Sequence, residues 1–243
     1  MIKRIPRYLH VYNALKQGIE TLEFKIGEYL PPEPELEKRF NVSRTTVRKA
    51  VELLEDQGFV HIQQGRGTSI LDYKATQRLQ YVTSFSETLQ EQGFDVSHQV
   101  FGLERLPAPV QVADALEIAS DSELIQVKRL AYANSLPIAI MINYLVPDLV
   151  PGIEEKSGKI GSLYHFLERE YSLYIDAATD CISAVTAEVK EAEQLLIPAG
   201  EPLLVVRRIS YRDRRPVEYA DLRIVAEKYE YSVHTKERPP RGF

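Results

Sequence analysis

The chain offers almost no sulfur chemistry: Cys181 is its one cysteine in 243 residues. A lone thiol excludes an internal disulfide, and no Cys/His spacing of the metal-binding kind accompanies it. The five histidines (His10, His61, His98, His165 and His234) share no ligand spacing and belong to no nucleophile motif. Neither a metal, a cofactor nor a catalytic group is therefore expected. No apolar run reaches membrane length and no signal-peptide pattern is present, so the expectation is a soluble cytoplasmic protein with no membrane partner. A surplus of positive charge is also lacking, since the net charge is -5. That total argues against a nucleic-acid partner until the chain is divided. The first 71 residues carry 11 Lys+Arg against 9 Asp+Glu, so the acidic excess lies wholly in the remainder. Lys38, Arg39, Arg44, Arg48 and Lys49 form a run with no acid between them, which is a footprint for phosphates on an otherwise acidic protein.

What is present around that run is a helix-turn-helix pattern. Ser43 is a good N-cap, because its hydroxyl oxygen can accept from a free N–H of the first turn. Val47, Ala50, Val51 and Leu54 follow at helical spacing and define a buried stripe. Arg44, Thr45 and Arg48 cluster at the helix start, where a recognition helix reaches base edges in a major groove. Upstream, Tyr12, Leu15, Ile19 and Leu22 predict a first helix, and a short helix is expected near Pro34 to Phe40. Gly58 should end the recognition helix in a left-handed conformation. Residues 59–63 and 68–71 then read as two strands joined by the tip Gln64-Gly65-Arg66-Gly67, which makes a wing. Lys38, Ser43, Arg44, Thr45 and Arg48 are the candidate contacts to double-stranded DNA.

The chain should divide into a winged helix-turn-helix at 1–71, a polar linker at 72–80, a second domain at 81–236 and a tail at 237–243. The second domain contains an internal repeat. Ala108/Ala187, Ala113/Ala192, Leu116/Leu195, Leu124/Leu203, Val127/Val206, Arg129/Arg208, Tyr132/Tyr211 and Pro137/Pro216 are identical pairs at one constant offset. Each copy reads as strand, helix, turn and β-hairpin. Two copies are too few for a solenoid. Paired about a pseudo-two-fold, they predict an α+β domain with one antiparallel sheet and helices on one face.

Two helix starts, at Ser84-Phe85-Ser86-Glu87 (a capping box) and at Gly161-Ser162-Leu163-Tyr164, present N–H groups suited either to ordinary caps or to an anion. Arg129 and Arg208 lie on strand faces that are otherwise apolar or small, so each needs a carboxylate or an anionic ligand. Glu218 is an available protein partner for one or both.

These motifs resemble a known family. Leu30-Pro31-x-Glu33, the run from Val42 to Ala50, Gly58 and Gln64-Gly65-Arg66-Gly67-Thr68 resemble the GntR-type winged-helix signature. Thr83-Ser84-Phe85-Ser86-Glu87, Ser162-Leu163-Tyr164 and Pro216-Val217-Glu218-Tyr219 resemble the UTRA effector domain of the HutC subfamily. The resemblance implies a homodimeric, ligand-responsive transcription factor, most often a repressor of a palindromic operator, with a chorismate-lyase-like α+β domain that has no enzyme activity. It also implies an effector site at Ser84, Phe85, Ser86, Arg129, Ser162, Tyr164, Arg208 and Glu218, suited to a small anionic metabolite such as a sugar phosphate. Three departures qualify that site: Ala131, Met141 and Ile224 stand where sugar-phosphate sensors usually carry Arg, Glu and Tyr. In the DNA domain the resemblance implies contacts from Arg44, Thr45, Thr46, Arg48 and the wing tip Gly65, Arg66 and Gly67, while Pro32-Glu33-Pro34 replaces the usual Ser-Glu-Arg and removes one expected contact. Two other functions compete. One is a lyase- or transferase-like enzyme carrying a winged helix, which the missing acid/base and nucleophile cluster weighs against. The other is a winged helix used for protein contact, against which the acid-free basic run argues.

Overall fold

The computed structural model describes residues 6–78 and 81–233. The expected tail, the end of the second domain at 236, His234 and the last two linker positions lie outside the described residues. The chain divides into two compact units, Met1–Tyr73 and Lys74–Phe243.

The first unit contains α1 (Arg7–Glu20), α2 (Glu33–Phe40), α3 (Arg44–Asp56), β1 (Val60–Gln63) and β2 (Gly67–Ile70). Leu15 and Ile19 of α1, Leu36 of α2 and the whole predicted stripe of α3 are buried together with Phe59 and Ile70. Leu22 does not join the stripe. It lies beyond the end of α1 at a positive φ of 61° and is 61% exposed. The chain leaves the helical path at Thr21, so the 3.6-residue period stops before Leu22, and Val11 fills the buried face instead. Gly58 has φ 76° and releases the chain into β1, which pairs antiparallel with β2.

The second unit is built on a six-stranded antiparallel sheet. Its strands are β4 (Val96–Pro107), β5 (Glu123–Ala133), β6 (Leu136–Leu145), β7 (Ala177–Thr186), β8 (Pro202–Arg212) and β9 (Arg215–Val225), in the order β4-β5-β6-β9-β8-β7. That order is symmetric about the β6/β9 contact, so the two copies of the repeat form the two halves of one sheet. The helices α5 (Val110–Leu116) and α7 (Val189–Leu195) are equivalent, and both end in a left-handed residue, Glu117 and Leu196. The hairpin turns Asn134-Ser135 and Asp213-Arg214 carry positive φ at both positions, as a type I′ turn requires. Each hairpin has a register shift at the same point, between Ala131 and Tyr132 and between Ser210 and Tyr211. Ile142 pairs with Asp221, its own equivalent under the repeat offset, so the pseudo-dyad passes through that pair.

Helices lie on both faces of the sheet, not on one as the repeat suggested. The strand β5 is buried almost continuously, so both of its faces need cover. The repeat helices α5 and α7 cover Leu124, Leu130, Leu203 and Val225. The opposite face is covered by α4 (Phe85–Glu91) and α6 (Leu163–Tyr171), a second helix pair at the same offset as Arg129 and Arg208, each followed by a residue of positive φ, Gly93 and Ser172, with 3-10 turns at Pro147–Leu149 and Ile153–Lys159. The expected linker is also shorter than its polarity suggested. Ala75–Arg78 form β3, which pairs in parallel with β10 (Tyr229–Ser232) and belongs to the second unit. Ala75 is fully buried in that unit's core, an anchor that the polar residues around it conceal.

Candidate functional site

The start of α3 is held by Ser43, whose hydroxyl accepts from the Thr46 N–H at 3.4 Å and lies 2.9 Å from the Thr46 hydroxyl. Arg44, Thr45 and Arg48 are exposed beside it, as are Lys38 on α2 and Gly65, Arg66 and Gly67 at the wing. Between α2, α3 and the wing runs a groove of about 630 Å³ lined by Glu33, Arg44, Arg48, Gln63, Gly65 and Thr68. Glu33 is the organising residue, and it carried no weight in the sequence beyond its place in a motif. One of its oxygens accepts from Arg44 Nε at 2.6 Å and the other from Arg48 Nε at 2.8 Å. The two guanidinium groups hold its carboxyl below the usual range, Arg48 most strongly. Both arginines keep their outer Nη groups available, since each uses only Nε on the carboxylate. The basic run is thus less open than its composition suggests. Arg39 pairs with Glu23 at 2.7 Å, and Lys49 sits 4.2 Å above the Tyr8 ring.

In the second unit, one small cavity gathers Ser84, Phe85, Ser86, Arg129, Tyr164, Arg208 and Glu218. Of the expected effector residues only Ser162 is not among its lining. Ser162 is the N-cap residue of α6, but its hydroxyl makes no capping bond and is buried without a partner. The Ser84 cap is complete: its hydroxyl accepts from Glu87 N–H at 3.2 Å, and its own N–H donates to the Glu87 carboxylate at 2.7 Å.

The arginines resolve differently from the simple pairing with Glu218. Arg129 is 1% exposed and makes no ion pair among the described residues. It donates from Nη1 to the Gly161 carbonyl at 2.7 Å and from Nη2 to Asn143 Oδ1 at 2.9 Å, while its Nε–H has no acceptor. Burial pushes its pKa down to about 10, against the opposing pull of Glu218. Asn143 stands between the two charges, because its amide donates to Glu218 Oε1 at 2.6 Å. Glu218 also accepts from Ser210, whose hydroxyl in turn meets the Tyr164 hydroxyl at 2.7 Å. Burial raises the Glu218 pKa, opposed by those hydrogen bonds and by Arg208 and Arg129. Arg208 has its own carboxylate: Nε and Nη2 donate to the two oxygens of Asp180, each at 2.7 Å, and Nη1 donates to the Thr83 carbonyl at 2.8 Å. His98 reaches the site through Ser86, with Nε2 and the hydroxyl 3.0 Å apart.

Asn143, Asp180, Ser210 and His98 escaped the reading of the sequence. Asn143 did leave a signal, as a polar residue within the apolar run 138–145. Asp180 left none, because only the register of β7 against β8 sets it beside Arg208. Of the three departures only Met141 lines the cavity, beside Phe85, Ala220 and Leu222, while Ala131 and Ile224 belong to the hydrophobic core that Met141 and Phe85 share with Tyr229. The cavity measures about 30 Å³, room for about one water molecule, so a metabolite larger than that needs the lining to open.

Comparison with known proteins agrees with this division into units. Residues 7–70 match the model of bacterial regulatory proteins of the gntR family, and residues 91–230 match the UTRA domain. The chain is 31% identical to the probable transcriptional regulator PhnF of Escherichia coli, over 93% of this chain and 94% of the relative. It is 28% identical to the transcriptional repressor NagR of Bacillus subtilis, over 96% of each chain. The crystal structure of PhnF from Mycobacterium smegmatis shares the fold, with a TM-score of 0.65 at 23% identity over 94% of this chain and all of that one.

Proposed function

Because the chain belongs to the GntR family of bacterial regulatory proteins and carries a UTRA domain, and so is a transcriptional regulator and not an enzyme, we propose that it is a repressor. It acts as a homodimer on a two-fold symmetric operator, and a small anionic metabolite bound beside Arg129 controls it. The observation that carries the effector reading is Arg129 itself. A fully buried guanidinium with neutral acceptors on two nitrogens and none on the third has unspent capacity for an anion. Phosphate and carboxylate both suit its planar fork. Sugar phosphates are the first class to test, but Met141, Ala220 and Leu222 favour a ligand with an apolar or lightly hydroxylated body behind the anion.

On the DNA side, Arg44 and Arg48 are the base readers, Thr45, Thr46 and Lys38 contact phosphate or thymine methyl groups, and the wing tip at Gly65–Gly67 approaches the adjacent backbone. Two copies of α3 entering successive major grooves require half-sites about one helical turn apart, or a multiple of it. A metabolite controls binding only if it prefers one arrangement of the dimer over another. The test is a gel-shift with the DNA upstream of the chain's own gene, footprinted and then titrated with phosphorylated and carboxylated metabolites. A protected region with dyad symmetry that is lost on adding one metabolite class supports the reading. Equal binding to all sequences would sink the operator reading, and a response to none of the anions would sink the effector reading.

A further inference from the structure

We infer that the ligand of the second unit is a zwitterion, which sets its anionic group on Arg129 and a protonated amine on Glu218. The inference rests on the effector reading above and names the chemical class that the same cavity takes. Arg129 and Glu218 both line it, and each is 1% exposed. Arg208 lines it too, but both oxygens of Asp180 already answer its charge. The lining is left with one positive pole and one negative pole. Among the described residues neither pole is in an ion pair, because Asn143 stands between them.

Neither pole is saturated. The Arg129 Nε–H is buried without an acceptor. Glu218 accepts one hydrogen bond at each oxygen, from Asn143 at Oε1 and from Ser210 at Oε2. A carboxylate offers about four lone-pair sites, so it can take further donors. Asn143 records the field between the poles: its carbonyl oxygen faces Arg129 and its amide nitrogen faces Glu218. A ligand beside that amide meets the same field, which favours negative charge at one end and positive charge at the other. One amide group suffices to bridge the poles, so a short chain suffices to separate the ligand's two charges. Met141, Ala220 and Leu222 line the cavity without a side-chain donor and suit the methylenes of that chain.

A plain anion fits less well. It adds a second negative charge to a buried space that already holds the Glu218 carboxylate, and like charges in one site oppose each other's ionisation. A sugar phosphate has the same defect, since its hydroxyls can donate to Glu218 but carry no charge. A simple amine would leave the Arg129 Nε–H unmet. A zwitterion brings its own compensating cation. It gives the Arg129 Nε–H an anionic acceptor and Glu218 a cationic donor, and hydrogen bonds between charged groups are the strong ones. Burial raises the Glu218 pKa, and an ammonium group beside the carboxylate holds it ionised.

The experiment is calorimetry and thermal shift on the full chain at neutral pH, with two matched pairs of probes. Phosphoethanolamine is set against ethyl phosphate, and γ-aminobutyrate against butyrate. Within each pair the anion is the same and only the amine differs. The aminated member should bind more tightly by on the order of ten- to a hundred-fold, the worth of one hydrogen bond between charged groups. Glu218→Gln should erase that advantage and keep the affinity for ethyl phosphate and butyrate. Arg129→Met should abolish binding of all four. The wild-type pairs decide the question without a variant. Ethyl phosphate or butyrate binding as tightly as its aminated partner would overturn the zwitterion and leave the anionic effector standing. Binding of none of the four would overturn the zwitterion as well. Aminated probes that bind Arg129→Met as tightly as the wild type would overturn both readings.

Discussion

Arg129 and Arg208 occupy equivalent positions in the two halves of one sheet, yet only Arg208 has a carboxylate. In the second half, Asp180 stands opposite Arg208 in the register of β7 and β8. In the first half, the position opposite Arg129 is Val100, at the shift in β4. Arg129 is left with a carbonyl and an amide. The repeat has thus kept the residue and divided its work: one arginine ties the sheet edge to α4, and the other holds a buried positive charge in reserve. Four expectations follow from this arrangement and from its counterpart at Glu33.

Arg129→Met keeps the volume of the side chain and removes its charge. Ligand-free DNA binding should be unchanged, and the response to the anionic metabolite should vanish. Both variants leave the Gly161 carbonyl and Asn143 without their donors, and Arg129→Ala, which should remove the response too, adds a cavity and so a larger stability cost, about 2–4 kcal/mol in all. A metabolite titration of DNA binding, paired with thermal unfolding, separates the two effects. A normal response in the Met variant would make Arg129 purely structural.

Arg44→Ala and Arg48→Ala should each weaken specific binding by about 1–3 kcal/mol and relax sequence preference at one position of each half-site. Lys38→Ala should weaken binding to every sequence alike and flatten its dependence on salt. Affinities for operator and scrambled duplexes, measured across a salt series, check both. If Arg44→Ala alters only the salt slope, the roles given to these side chains are wrong.

Glu33→Gln should have the opposite balance. The amide offers one acceptor oxygen where the carboxylate offers two, so at least one Nε group is freed, and loss of the negative charge makes the groove more positive. Binding to scrambled DNA should tighten and its salt slope steepen, while discrimination for the operator falls. Retention of full discrimination would mean that Glu33 does not orient the two arginines.

Protonation of His98 should make the second unit sensitive to mild acid. Burial, and next the charge of Arg129, push its pKa down to about 4, whereas an unfolded histidine titrates near 6.5. The unfolded chain therefore takes up this proton first as the pH falls. The stability that neutral His98 contributes is fully present above about 6.5 and is lost as the pH falls toward 4, at up to about 1.4 kcal/mol per pH unit. Glu218, with its pKa raised, acts in the opposite sense, but it is common to wild type and variant. His98→Gln should flatten the fall in melting temperature between about pH 7 and pH 5. An identical pH profile in the two proteins would remove His98 from the balance.

The first unit was legible residue by residue. The cap at Ser43, the stripe from Val47 to Leu54, the stop at Gly58 and the wing are local features. Each depends on side chains within a few positions of one another, so spacing alone encodes them. Leu22 misled because a period in the sequence does not say where the helix ends. In the second unit the repeat was legible because duplication leaves identical residues at one offset, and it carried the strands, the turns and the equivalence of Arg129 and Arg208. Which faces would be covered was not legible, since α4 and α6 keep the repeat's offset but, Glu91 and Glu170 apart, not its residues.

The amino-acid sequence by itself determined the winged helix, the duplicated sheet and the residues that gather around one cavity. Only the tertiary structure decided what each charge in that cavity is bonded to. Glu218 meets Asn143 and Ser210 instead of Arg129, Asp180 claims Arg208, and in the first unit Glu33 clasps both Arg44 and Arg48. The physical reason is range. Helix caps and strand alternation are set over a few residues, whereas a buried ion pair depends on strand register and on contacts between residues as far apart in the chain as Asn143 and Glu218. A hydrogen bond forms or fails within a few tenths of an ångström, and nothing in the spacing of residues along a chain carries that precision.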